Sequence, residues 1–194
     1  MAKKSTRNTR GRIVSAAWKL FYEQGSEDTT VEEIIEPSGT SKGSFYHYFD
    51  GKDALLSTLS SLFDEKYEEL TGLLTPEMTA MEQLLFLNRE LFHMIEDSIS
   101  LDLLARLYST QLTTNGEKHL LDHNRIYYKL LRKIIAKGQA EGQLSSRSNV
   151  NEMVKLYALC ERALLYDWCL CAGEYALTEY SAKVLPGFLS SFLP

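Results

Sequence analysis

Thr30-Val31-Glu32-Glu33-Ile34-Ile35-Glu36-Pro37-Ser38-Gly39-Thr40-Ser41-Lys42-Gly43-Ser44-Phe45-Tyr46-His47-Tyr48-Phe49 reads as two short helices around a tight turn. Thr29 or Thr30 caps the first, and Glu32 and Glu33 place carboxylates in its first turn, where the helix dipole favours them. Ile34 and Ile35 are its apolar contacts, and Pro37, Ser38 and Gly39 end it. Gly39 supplies a backbone position at which positive φ costs little. The second helix is expected from Ser41 to Tyr48. Phe45 and Phe49, four apart, point inward together, which leaves Lys42, Ser44, Tyr46 and His47 facing out. Gly43 has no side chain, so backbone can come close to a groove. Hydrogen-bonding groups on one exposed helix end, after a Gly-containing turn, are what a helix-turn-helix needs to read a major groove. Lys52 opens the next helix, where an ammonium beside free amides suits a phosphate.

Helical spacing continues on both sides of this stretch, and strand alternation is scarce. Ile13, Ala16, Ala17, Leu20 and Phe21 form one apolar stripe on a helix predicted from Thr9 to Gln24. A long helix is predicted from Lys52 to Thr71, with Gly72 to Pro76 after it. Thr79 and Glu82 form a capping box before a helix to Asp97. Ser100 caps a helix to Leu112, a loop covers Thr113-Thr114-Asn115-Gly116, and a long helix is expected from Glu117 to Ala140. Asn149, with Glu152 three residues on, starts another that runs to Ala172. Thr178 opens the last, which contains Pro186. The expectation is an all-α chain of about nine helices. Residues 1–56 form a helix-turn-helix domain, with 1–8 a flexible basic arm, and residues 57–194 form a larger helical bundle.

Composition narrows the function. The chain has 194 residues, 44% hydrophobic and 24% charged, with a net charge of −5, which is ordinary globular composition. A uniformly basic nucleic-acid coat is excluded, but the charge is uneven. Lys3, Lys4, Arg7, Arg10, Arg12 and Lys19 stand in the first 22 residues without an acid, and the surplus of acid belongs to residues 57–194. No signal-peptide run or spanning apolar stretch occurs, so a cytoplasmic protein is expected. Cys160, Cys169 and Cys171 form no C-x-x-C pair and read as free thiols, with a redox role for Cys169 or Cys171 as the alternative. His119 and His123, near Glu117, have metal-compatible spacing but no third ligand, so no metal and no cofactor is expected. There is no Gly-rich phosphate loop, no H-E-x-x-H and no G-x-S-x-G, and hence no catalytic set.

From Thr9 to Leu56 the sequence resembles the TetR family of bacterial transcriptional regulators. The likeness is carried by Thr9-Arg10, Ile13, Ala16-Ala17, Leu20-Phe21, Gly25, Thr29-Thr30-Val31, Ile34, Gly39, Ser41 through Phe49, Lys52 and Leu55-Leu56. A later segment, Tyr166-Asp167-Trp168 through Gly173 to Leu185, also looks like the end of such regulators. Ile35, Ser38 and Thr40 depart from the family's usual residues, and Pro37 is unusual so near a helix end. The resemblance implies a homodimer that binds a palindromic double-stranded DNA operator and is released by a small-molecule effector. It implies DNA contacts from Thr30, Ser41, Lys42, Gly43, Ser44, Tyr46, His47 and Lys52, with Tyr48 partly core. It implies an effector pocket among the middle helices, for which Phe86, Phe92, His93, Tyr108, Tyr127, Tyr128, Tyr157 and Trp168 are candidates; plain core packing is the alternative for each. It implies dimerisation through the last two helices, where Leu164, Trp168, Leu185, Phe188, Leu189 and Phe192 are candidates. The rival readings are an all-α enzyme and a helical interaction module that does not bind DNA.

Overall fold

The computed structural model describes residues 2–56, 58–113 and 118–194, with the side chains of 2–8 and 53 excepted. Among the described residues there are ten α-helices and two 3₁₀ turns, with no strand. They form two compact units, residues 1–61 with 99–119, and residues 62–98 with 120–194.

The first unit holds α1 (Ala2–Gln24), α2 (Val31–Ser38), α3 (Lys42–Tyr48), α4 (Lys52–Leu56), the start of α5 (Leu59–Thr71) and α7 (Leu101–Thr113). Its core is Ile13, Ala17, Phe21, Ile34, Phe45, Phe49, Leu55, Leu56 and Leu59, all buried. So few helices enclose little apolar surface. α7 adds the buried Leu103, Leu104 and Leu107 although it lies far along the chain. α1 begins at Ala2, so the stretch expected as an arm continues the helix backbone; the side chains of Lys3, Lys4 and Arg7 lie outside the described residues. The helix predicted from Lys52 to Thr71 is two helices. Thr58 N bonds back to Leu55 O at 2.9 Å, and the Thr58 hydroxyl donates to the same carbonyl while accepting from Trp18 Nε1 at 3.0 Å. Side-chain bonding to a nearby carbonyl competes with the regular ladder.

The second unit holds the rest of α5 with α6 (Ala80–Ser98), α8 (Ile126–Ala140), α9 (Val150–Leu170) and α10 (Leu177–Leu189). Thr79 with Glu82, and Asn149 with Glu152, form the predicted capping boxes. The helix expected from Glu117 starts only at Ile126. His119–Leu121 is a 3₁₀ turn, Asp122 Oδ1 accepts from Asn124 N at 2.8 Å, and Arg125 is extended at φ −60, ψ 151. Asp64 then holds the new helix start: it takes both Nε and Nη2 of Arg125 at 3.1 Å, and Tyr127 N at 3.4 Å. An Asp side chain bonded two residues ahead draws the chain out of the helix. With no helix there, His119 and His123 do not share a helical face; His123 instead packs on the Tyr128 ring at 4.7 Å, and Glu117 lies outside the described residues. Gly138, in mid-α8, lets α6 come close: a Cβ there would stand 2.6 Å from Ala80 Cβ and 2.9 Å from Leu144 Cδ1.

Candidate nucleic-acid interface

Three local devices shape the helix-turn-helix. Thr30 caps α2 as a full box: its hydroxyl accepts from Glu33 N at 3.2 Å, and Glu33 Oε2 accepts from Thr30 N at 2.7 Å. These bonds hold the Glu33 carboxyl below its ordinary range. α2 runs on through Pro37 to Ser38. Gly39, at φ 59 and ψ 39, then closes it: Gly39 N donates to Glu36 O, and Thr40 N to Ile35 O. That left-handed residue is the one the turn demands. Ser41 caps α3, accepting from Ser44 N at 3.1 Å.

Phe45 is fully buried and Phe49 nearly so, with ring centroids 5.8 Å apart, and they turn the rest of α3 outward. Ser41, Lys42, Gly43, Tyr46 and His47 are exposed, and Ser44 is half-buried. Tyr46 is 48% exposed and stands edge-on to Phe45, so its ring is braced while its hydroxyl is free to reach. A Cβ on Gly43 would meet nothing closer than Ser41 Oγ at 3.9 Å, so this end of α3 is open to an incoming backbone. Tyr48 is half-buried against His47 and Phe49. Thr30 is exposed at the head of α2. Seven of the eight expected DNA-contact residues therefore lie on or beside one outward surface.

Lys52 does not. Its ammonium donates to Ser26 O at 2.7 Å, Glu27 O at 2.6 Å and Thr29 O at 3.2 Å. All three donors are spent on the loop between α1 and α2, so a phosphate would have to displace them. On this geometry Lys52 clamps that loop, and a phosphate contact from it would require those bonds to open. Arg106 of α7 grips the same loop, pairing with Glu27 and, at 2.9 Å, with Asp102. Lys52→Met should lower stability by about 2 kcal/mol, the scale of a lost charged hydrogen bond. It should weaken DNA binding without flattening the salt dependence, whereas losing a phosphate contact lowers that slope by about 1. Anisotropy titrations at several salt concentrations distinguish the two.

The second unit contains a buried polar chain that sequence reading missed. Glu161 is 4% exposed; Tyr127 donates to its Oε2 at 2.6 Å, and Asn88 Nδ2 to its Oε1 at 2.9 Å. Ser181 donates to Asn88 Oδ1. Burial pushes the Glu161 carboxyl up, and it pushes the Tyr127 and Tyr157 hydroxyls far above their ordinary value. One signal was available: Tyr157, Glu161, Leu164 and Trp168 share one face of α9 at helical spacing. Asn88 and Ser181 also line a groove of about 640 Å³ between α6 and α10, walled by Leu85, Phe86, Ala182 and Pro186.

The expected pocket residues separate accordingly. Phe86 lines the groove, and Phe92, Tyr127, Tyr128, Tyr157 and Trp168 are buried in the second unit. His93 is 64% exposed beside Asp97, because it stands on the outer face of α6, and Tyr108 belongs to α7 in the first unit. Neither is among the residues that line the groove between α6 and α10. The expected dimer residues are mostly covered by their own chain. Leu164, Trp168, Leu185, Leu189 and Phe192 are all buried within one chain, and only Phe188 is half-exposed. The uncovered apolar positions are one step round α9: Leu156, Leu159, Tyr166 and Leu170, exposed by 38, 52, 46 and 66%. Cys160 and Cys169 are free thiols that burial pushes up to about 11, so they stay protonated at neutral pH.

Comparison with known proteins agrees with this geometry. The sequence profile described as "Bacterial regulatory proteins, tetR family" matches residues 13–59. An uncharacterized HTH-type transcriptional regulator in the lacX 3′ region of Lactococcus lactis subsp. lactis is 38% identical over 56 residues, 28% of this chain and 29% of that one. The chain thus spans less than a third of that relative's length. The uncharacterized HTH-type regulator YvdT of Bacillus subtilis is 26% identical over 147 residues, 75% of each chain. Thermus thermophilus FadR, a TetR-family repressor solved in complex with lauroyl-CoA, superposes with a TM-score of 0.75 at 26% identity, covering 95% of both chains. The helix-turn-helix, the helical second unit and these likenesses converge: residues 13–59 carry the helix-turn-helix of the tetR family of bacterial regulatory proteins, and the chain shares the fold of that family's solved members.

Proposed function

We propose that the protein is a homodimeric transcriptional regulator that binds a palindromic operator through α3 and is released by a small-molecule effector held in the second unit. The observation that carries this reading is the outward row Ser41, Lys42, Gly43, Tyr46 and His47, exposed while Phe45 and Phe49 anchor the same helix. A two-fold dimer presents that row twice, as a palindrome requires. The exposed apolar face of α9 supports pairing with a second copy. Repression is the expected direction of control, and the cytoplasm the expected place.

For the effector, the groove between α6 and α10 has the volume of a small-ligand site, with apolar Leu85, Phe86, Ala182 and Pro186, polar Asn88, Thr178 and Ser181, and charged Glu77, Glu82 and Arg89 around it. The lauroyl-CoA in the FadR of similar fold supports an amphipathic effector with an apolar tail. Such a molecule shifts DNA binding only if it prefers the DNA-incompetent state.

Fluorescence anisotropy on a palindrome from the neighbouring promoter tests the DNA reading. Wild type should bind with steep salt dependence. Lys42→Ala with Tyr46→Ala should weaken binding by roughly 10- to 100-fold, the scale of lost groove contacts. Unchanged affinity in that double variant would remove α3 from the interface.

A further inference from the structure

We infer that Glu32 is a specificity-determining residue: its carboxylate and the Lys42 ammonium act as one unit that reads a G·C pair, the lysine donating to guanine and the carboxylate accepting from cytosine N4. The inference rests on the DNA-binding reading above.

Lys42 and Glu32 form an ion pair between the first turns of α3 and α2, with side chains 59% and 62% exposed. The pair holds Glu32 below, and Lys42 above, its ordinary range. Lys42 is therefore not a lone cation waiting for a phosphate; a carboxylate accompanies it. Of the nearby acids, Glu33 serves the Thr30 cap and Glu27 pairs with Arg106. Glu32 takes no part in the cap. An exposed ion pair contributes little to stability, so holding α2 against α3 is a weak account of it.

A carboxylate at a DNA-facing surface is repelled by phosphates unless a donor meets it. In the major groove that donor is cytosine N4, and the guanine of the same pair turns its O6 and N7 acceptors to the same groove. An ammonium beside a carboxylate matches that edge. Adenine offers the ammonium only one acceptor, and thymine sets a methyl against the carboxylate. The Ser41–Ser44 hydroxyl pair, at 3.0 Å, flanks Lys42 without adding charge.

Selection from a random double-stranded library, run with the full-length wild type, Glu32→Gln and Lys42→Met, decides the matter. Wild type should enrich a palindrome with one G·C position in each half-site. Glu32→Gln should weaken that preference by about 5- to 100-fold and move it toward adenine, which a glutamine reads. Lys42→Met should lose the same position and no other. A Glu32→Gln motif identical to wild type, or uniformly tighter binding to every sequence, overturns the inference while leaving DNA binding intact. No enriched sequence for a folded wild type overturns both. Unchanged melting of both variants excludes misfolding as the cause.

Discussion

Leu159→Glu combined with Leu170→Glu is expected to turn the protein into a monomer by light scattering and to weaken operator binding by about 10²- to 10⁴-fold, the range gained by joining two binding modules. The argument starts from spacing. Leu156, Leu159, Ala163, Tyr166 and Leu170 recur every three to four residues along α9, and all five are exposed. The opposite face, including Tyr157, Leu164 and Trp168, is buried in the same chain. An exposed apolar row of that length on one helix face points to a partner surface. Two glutamates per chain set four carboxylates into an apolar surface that a second copy would have to desolvate. Leu164→Glu is the informative contrast, since it buries a charge in the chain's own core and should unfold the second unit rather than leave a folded monomer. A double variant that remains dimeric would move the interface off α9.

Gly138→Val should cost about 3 kcal/mol or more, lowering the melting temperature by roughly 6 °C or more for a chain of this size. The first added carbon already stands 2.6 Å from Ala80 Cβ, a short side chain that has no rotamer to escape into. Backbone must move, and Ala80 N is itself tied to Gln143 Oε1 at 2.7 Å. Removing glycine from mid-helix ordinarily gains up to ~1 kcal/mol, so the sign of the measured change separates packing from propensity. Scanning calorimetry on both proteins provides it.

What was legible in the sequence was local chemistry. Thr30, Ser41, Thr79 and Asn149 begin helices where capping rules place them, and Gly39 closes α2 as a left-handed residue must. The outward set on α3 followed from Phe45 and Phe49 alone. The misses share a different cause. Asp122 with Asn124 offered a local turn signal against a helix from Glu117, but Asp64 and Arg125, which fix the late start of α8, meet across 61 positions. Lys52 looks like a phosphate ligand by position, and only the folded loop brings three carbonyls to it. On α9 apolar residues occur nearly all round, and periodicity does not tell which face meets its own chain and which meets another. Glu161 was overlooked because its partners Asn88 and Tyr127 come from two other helices.

The capping boxes also carry a consequence for acid. Glu33 and Glu82 each serve a helix start as carboxylates, and their threonine partners hold both below the ordinary value of 4.5. A lowered carboxyl contributes stability that is complete above its unfolded value and is lost as pH falls through the folded one. Acid therefore loosens α2 and α6 at their first turns. Glu32 is likewise held below its ordinary value by Lys42, so acid strong enough to protonate it also opens that ion pair. The acid sensitivity of the helix-turn-helix is thus written into two adjacent carboxylates, Glu32 and Glu33, that α2 keeps ionised.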